Sequence, residues 1–172
     1  VQYYKELLTN KTDNYAVYAR TTFSQDKRLL LIGNDVSSKY TRRTPEEYGR
    51  IADYIYRTIK KKKGNYMVFF PSYLFLKKVH GAFELRTDET ITCICQESGM
   101  REEEREAFLE AFQGEKEESL VAFCVMGGIF GEGIDLKREQ LIGAIIVGTG
   151  LPQISNEREI LKEYYDKKEG MG

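Results

Sequence analysis

Short apolar runs alternate with amphipathic segments along most of the chain. Four of these runs predict buried strands: residues 66–70, 91–95, 120–126 and 141–147. The segments around them repeat their apolar residues every three or four positions, which is typical of helices with one buried face. Strands that are apolar throughout belong to parallel sheets covered on both sides. The pattern therefore predicts an α/β fold, with a mainly parallel sheet and helices on both faces.

The predicted helices have clear boundary signals. Thr44 precedes Pro45 with a glutamate at capping-box spacing, which indicates a helix start. Ser72 is placed to cap a second helix, directly after the first apolar strand. Residues 101–113 predict a third helix, and Asn156 opens a last one.

The amino-terminal part of the chain predicts two further strands. Residues 15–23 are rich in Tyr, Val and Thr, and residues 29–32 form a short apolar run that ends at a Gly-Asn-Asp sequence. We therefore expect residues 1–35 to be a leading segment that carries the first strands of the same domain.

The composition excludes only a few classes of function. The net charge is −1, so any surface for nucleic acid must be local. Cys93, Cys95 and Cys124 lie in predicted strands and form no Cys-x-x-Cys pair, which indicates free core thiols rather than disulfides or a metal site. No signal peptide or long apolar span is visible, and this favours a cytoplasmic protein without a membrane partner.

A glycine-rich segment follows the third predicted strand. Four glycines lie within residues 127–133, where the backbone could approach a phosphate or sugar closely, although a plain tight turn has the same composition. It is neither a Walker A loop nor a dinucleotide fingerprint. Glu132 and Asp135 could bind a cation, accept from a ribose hydroxyl or position a basic group. No nucleophile or histidine accompanies them, and the only histidine, His80, is expected on a helix surface.

Two further segments suit the backbone of a polynucleotide. Ser72 and Tyr73 place hydroxyls and free N–H groups at a helix start, although helix capping alone would also explain the serine. Lys39, Arg42 and Arg43 lie in one polar loop before the first helix, where a solvated loop is the alternative. The lysines at 60–63 lie at the end of the first predicted helix, where the negative end of the helix dipole favours cations, so their position does not require a functional role.

Three segments together resemble a known family. Residues 66–73 (YMVFFPSY), residues 127–136 (GGIFGEGIDL) and residues 141–152, which end in Leu151-Pro152, are similar to the second motor domain of DinG/XPD-type superfamily 2 DNA helicases. The resemblance implies that residues 36–172 form a RecA-like helicase lobe without its own phosphate loop. Its implied partners are single-stranded DNA and the first motor domain of the same polypeptide.

The resemblance also implies roles for particular residues. By this similarity the nucleotide-coupling residues are Gly128, Glu132, Gly133 and Asp135. The implied DNA-binding residues are Ser72 and Tyr73, together with Lys39, Arg42 and Arg43 of the preceding loop.

The sequence departs from the family pattern at the motifs that hydrolyse ATP. It has no Walker A lysine, no Asp-Glu-x-His motif and no Gln-x-x-Gly-Arg-x-x-Arg motif with its arginine finger. We therefore expect a domain truncated before the arginine-finger motif, with no complete catalytic site and no metal site. ATP and Mg²⁺ would act in the parent, an ATP-dependent DNA helicase, and would not bind this chain tightly. An iron–sulfur cluster is expected only in the missing first domain, and this chain alone is expected to be inactive.

Two other functions stay open. The chain could be a non-catalytic nucleic-acid-binding or protein-interaction module that keeps the helicase-lobe fold. It could also belong to another class of nucleotide-binding α/β enzyme, although the missing phosphate loop and the missing acid/base partners argue against this.

Overall fold

The computed structural model describes residues 17–21, 24–114, 117–150 and 155–169. By its internal contacts the chain divides into residues 1–32 and residues 33–172. The second unit contains four α-helices and four strands within its described residues. In chain order they are α1 (Pro45–Lys61), β1 (Asn65–Phe70), α2 (Tyr73–Glu84), β2 (Ile91–Cys95), α3 (Glu102–Glu110), β3 (Ser119–Val125), β4 (Gly143–Ile146) and α4 (Asn156–Glu169).

The four strands form one parallel sheet, in the order β2-β3-β1-β4. Val68 of β1 lies beside Phe123 of β3 on one side and Ile145 of β4 on the other. All four strands therefore end at the same edge of the sheet. We call this the carboxyl edge, and the opposite one the amino edge.

Helices cover both faces of the sheet, as predicted. Alternate residues of a strand point to opposite sides. On one side Val68, Phe70 and Phe123 form a core with α1 and α2. On the other side Met67 and its neighbours on β3 form a second core with Phe108 of α3. The α/β prediction with a parallel sheet is confirmed.

Helix α1 shows how local sequence sets these elements. The Thr44 hydroxyl accepts a hydrogen bond from the backbone N–H of Glu47 at 3.3 Å, and Pro45 occupies the first helical position. Ile51, Ile55 and Ile59 then recur at helical spacing and are at most 5% exposed. The capping signal and the apolar stripe thus produce the predicted helix, which packs against the sheet through that stripe.

The predicted strand at residues 29–32 is absent. These residues have no strand pairing, and their side chains are 67–81% exposed. An apolar run becomes a strand only where a neighbouring strand satisfies its backbone, and the described part of the chain supplies none here. Of the predicted strand at 15–23, the described residues 17–21 are not in a strand either.

The cysteines lie in the core as free thiols, as predicted. Cys124 is buried, and Cys93 and Cys95 are half-buried. Burial raises the pKa of Cys93 to about 11 and the pKa values of Cys95 and Cys124 to about 12. The thiols therefore stay protonated near neutral pH and are poor nucleophiles.

The prediction that His80 lies on a helix surface is wrong. Its ring is half-buried and packs edge-on against Phe123, with 4.8 Å between the ring centroids. Helix α2 is apolar over most of its inner side, so this position faces the sheet rather than solvent.

No helix among the described residues is long and apolar enough to cross a membrane.

Candidate functional site

The carboxyl edge gathers the segments that the sequence singled out. Two backbone hydrogen bonds extend the hydrogen-bond ladder of the sheet past the ends of the strands. Met126 N–H donates to Phe70 O at 2.8 Å, and Val147 N–H donates to Phe69 O at 2.9 Å. The loops after β1, β3 and β4 therefore leave the sheet at neighbouring points. Ligands of open parallel sheets bind at this edge.

The basic loop, residues 35–43, is fastened to the first half of α1. The buried carboxylate of Glu47 accepts from the Ser37 N–H and pairs with Arg50 at 3.2 Å. Asp35 accepts from the Tyr54 hydroxyl and also pairs with Arg50. The Tyr54 hydrogen bond, helped by Arg50, holds the pKa of Asp35 below its usual value. The sequence did not predict that Glu47 fastens the basic loop, because its place in the capping box already accounted for a glutamate at this position.

The three cations of the basic loop have different surroundings. The Arg43 guanidinium lies 4.1 Å from the Phe75 ring centroid, and its Nε donates to Ser38 O at 3.1 Å. Arg43 thus joins the loop to α2 by a cation–π contact. Lys39 and Arg42 are exposed, and neither forms an ion pair with a described residue. Their charges are therefore available to an anion.

The same loop also touches the end of β4. Gly148 has a φ of +92°, and a Cβ built on it would lie 2.6 Å from the Ser38 hydroxyl oxygen. Only glycine suits both the backbone angle and the space. The basic loop, the start of α2 and the end of β4 consequently form one continuous surface.

Ser72 and Tyr73 lie at the start of α2, directly after β1. The Ser72 hydroxyl accepts from the Phe75 N–H at 3.3 Å, so it caps the helix as predicted. The Tyr73 hydroxyl accepts from the side-chain amide of Gln96 at 3.0 Å. Both residues are half-buried and belong to the carboxyl edge.

Gln96 is a site residue that sequence reasoning missed. It follows β2 directly and is only 2% exposed. Its side chain accepts from the Val125 N–H at 2.9 Å and donates to Tyr73, so it connects β2, β3 and α2. The available signal was its position: a polar residue immediately after a buried run, at the carboxyl end of a predicted strand.

The glycine-rich loop, residues 126–136, is anchored by its apolar members. Phe130 is 1% exposed and stacks on Phe108, with 4.2 Å between ring centroids. Gly127 and Gly133 have φ values of +67° and +72°, which favour glycine. At Gly128 the reason for glycine is steric, because a Cβ there would lie 2.8 Å from the Gln96 amide nitrogen.

Glu132 and Asp135 lie on the exposed side of this loop. The Asp135 carboxylate is 76% exposed and pairs with Lys137 at 3.0 Å. Among the described residues, no group of three His, Cys, Asp or Glu side chains is placed to hold a metal ion. The two carboxylates thus face away from the core. Leu151 and Pro152, part of the resemblance, lie outside the described residues.

Comparisons with known proteins agree with this geometry. The family model for the helicase C-terminal domain matches residues 55–172. An apo XPD structure is 26% identical with a TM-score of 0.58, and the match covers 75% of this chain and 25% of that one. An XPD helicase structure is 26% identical with a TM-score of 0.57, with coverage of 77% and 22%. The chain thus spans about a quarter of the length of the XPD chains. The chain therefore belongs to the helicase C-terminal domain family, and its RecA-like α/β fold is similar to that of XPD helicase structures.

Proposed function

We propose that the carboxyl edge of this domain binds the phosphate backbone of single-stranded DNA within an ATP-driven helicase. The observation that carries the proposal is the meeting of three segments at one edge: the basic loop, the start of α2 and the glycine-rich loop. Each brings a group that phosphates bind, namely exposed cations, helix N–H groups and the backbone N–H groups of a glycine-rich turn.

The charges on this edge support an anionic ligand although the whole chain is nearly neutral. Lys39 and Arg42 project from a loop that Glu47 and Arg43 hold in place. Because the loop is fastened on both sides, little backbone entropy is lost when these two cations meet a phosphate. The positive end of the α2 dipole lies next to Ser72, in the helix on which Arg43 of the same loop packs.

We assign nucleotide coupling to the glycine-rich loop. Gly128, Glu132, Gly133 and Asp135 would face a cleft for ATP and Mg²⁺ whose other wall belongs to the first motor domain. The exposed carboxylate of Asp135 and the firm anchoring of the loop through Phe130 support this assignment. The sequence has no phosphate loop of its own, so ATP hydrolysis would depend on that other domain.

Replacing Lys39 and Arg42 together by alanine should weaken single-stranded DNA binding roughly tenfold at low salt, because two phosphate contacts are lost. The slope of log affinity against log salt should also fall by about 1.4. Fluorescence anisotropy of a labelled oligonucleotide, titrated at several salt concentrations, measures both quantities.

The lysines at the amino edge provide a matched control. Lys61 and Lys63 are exposed; Lys61 is the last residue of α1, and Lys63 lies between α1 and β1. Their double alanine variant removes the same charge from the opposite edge, and binding should change little. The proposal fails if the amino-edge variant loses more affinity than the Lys39→Ala/Arg42→Ala variant, or if the wild-type chain does not bind at low salt.

A further inference from the structure

The side chain of Gln96 is buried between the two segments to which we assign DNA binding and coupling. It is 2% exposed, and both ends of its amide are used. Its own N–H donates to Phe123 O at 2.8 Å, which places the residue firmly at the end of β2. A buried polar group with all these bonds satisfied is rigid, so it can hold its neighbours in one arrangement.

The orientation of the amide follows from its partners. The backbone N–H of Val125 can only donate, so the atom that faces it at 2.9 Å must be the side-chain oxygen of Gln96. The amide nitrogen then faces Tyr73, 3.0 Å from its hydroxyl oxygen. An amide NH₂ group can only donate, and the Tyr73 oxygen is therefore the acceptor in this bond.

Because the Tyr73 oxygen accepts from Gln96, its own proton must point elsewhere. Tyr73 is half-buried at the first position of α2, where helix N–H groups also collect. We propose that Gln96 is a positioning residue for DNA binding: it holds the Tyr73 hydroxyl so that this group donates a hydrogen bond to a phosphate oxygen of the strand. The inference rests on the proposed function and adds a specific donor to it.

The glycine-rich loop takes part in the same arrangement. A Cβ at Gly128 would lie 2.8 Å from the Gln96 amide nitrogen and 3.0 Å from Val125 O. The loop therefore packs directly against the group that orients Tyr73. A shift of the loop would move the Gln96 amide, which gives the coupling segment a physical route to the DNA-binding hydroxyl.

Two variants and their combination test the inference by anisotropy with a labelled oligonucleotide. Tyr73→Phe removes only the hydroxyl and should weaken binding about tenfold, the usual effect of losing a hydrogen bond to a charged group. Gln96→Met keeps the volume but cannot donate, and should weaken binding about threefold. Neither variant removes a charge, so the salt slope should stay at its wild-type value, unlike that of Lys39→Ala/Arg42→Ala.

The combination separates positioning from general structural support. If Gln96 acts through the Tyr73 hydroxyl, Gln96→Met should have no further effect on binding once Tyr73 is phenylalanine. An equal loss in both backgrounds would show that Gln96 serves the fold only, and would overturn the inference.

Tyr73→Phe keeps the test decisive if Gln96→Met fails to fold, because wild-type affinity in this variant overturns the inference by itself. Absence of binding by the wild-type chain would instead remove the proposed function and this inference with it. If the wild-type chain binds and its binding depends on Lys39 and Arg42 but not on Tyr73, the proposed function is supported and the inference about Gln96 and Tyr73 is rejected.

Discussion

Replacing Phe130 by alanine should lower the free energy of unfolding by about 3–5 kcal/mol, the usual cost of emptying a buried aromatic site. Phe130 is 1% exposed and stacks on Phe108 of α3, so nothing nearby can fill the space without moving a helix. Domains of this size are stable by only about 5–15 kcal/mol, and the variant should therefore be close to unfolding. The glycine-rich loop would also lose its main anchor.

Urea denaturation followed by circular dichroism measures this change. Ile129 provides the matched control, because the neighbouring side chain is 38% exposed and its replacement by alanine should cost about 0.5 kcal/mol or less. A Phe130→Ala variant as stable as Ile129→Ala would show that the loop is not anchored in the second core.

Replacing Gly148 by alanine should destabilise the domain by about 2–5 kcal/mol through two separate effects. An L-residue at a φ of +92° is strained by about 1–2 kcal/mol. The new methyl group would also lie 2.7 Å from the Ser38 Cβ, and overpacking of this kind costs about 1–3 kcal/mol. The basic loop must then move away from the end of β4, so DNA binding should weaken as well.

A second substitution separates the two effects. Ser38→Gly in the Gly148→Ala background removes the collision and should recover part of the stability, leaving the backbone strain. Gly81 in α2 is the control, since a Cβ there meets nothing within 4 Å and Gly81→Ala should stabilise the helix by about 1 kcal/mol. Thermal unfolding that is unchanged by Gly148→Ala would contradict the close contact between the loop and β4.

The elements that sequence reasoning located correctly have local causes. Thr44 and Ser72 each cap the helix that follows them, because the capping hydroxyl and its N–H partner lie three residues apart. The run at 91–95 forms a strand with the predicted bounds. Signals of this kind depend on neighbours along the chain, so they can be interpreted without knowing the fold.

The failures have causes that lie between distant segments. Residues 29–32 are as apolar as a real strand, but strand formation depends on a partner that the run itself does not specify. The packing of Arg43 on Phe75 and the hydrogen bonds of Gln96 join segments that are far apart in sequence. A single loop arginine or a single glutamine gives no local sign of such contacts.

Hydrogen–deuterium exchange with and without saturating single-stranded DNA tests most directly whether the carboxyl edge is the DNA-binding face. Binding protects the amides that it orders or covers, and a peptide map shows where they lie. The account predicts slower exchange in residues 37–44, 72–75 and 96–98, and no change in residues 61–64 and 86–90 at the amino edge. Protection confined to the amino edge, with none in the first three segments, would contradict it.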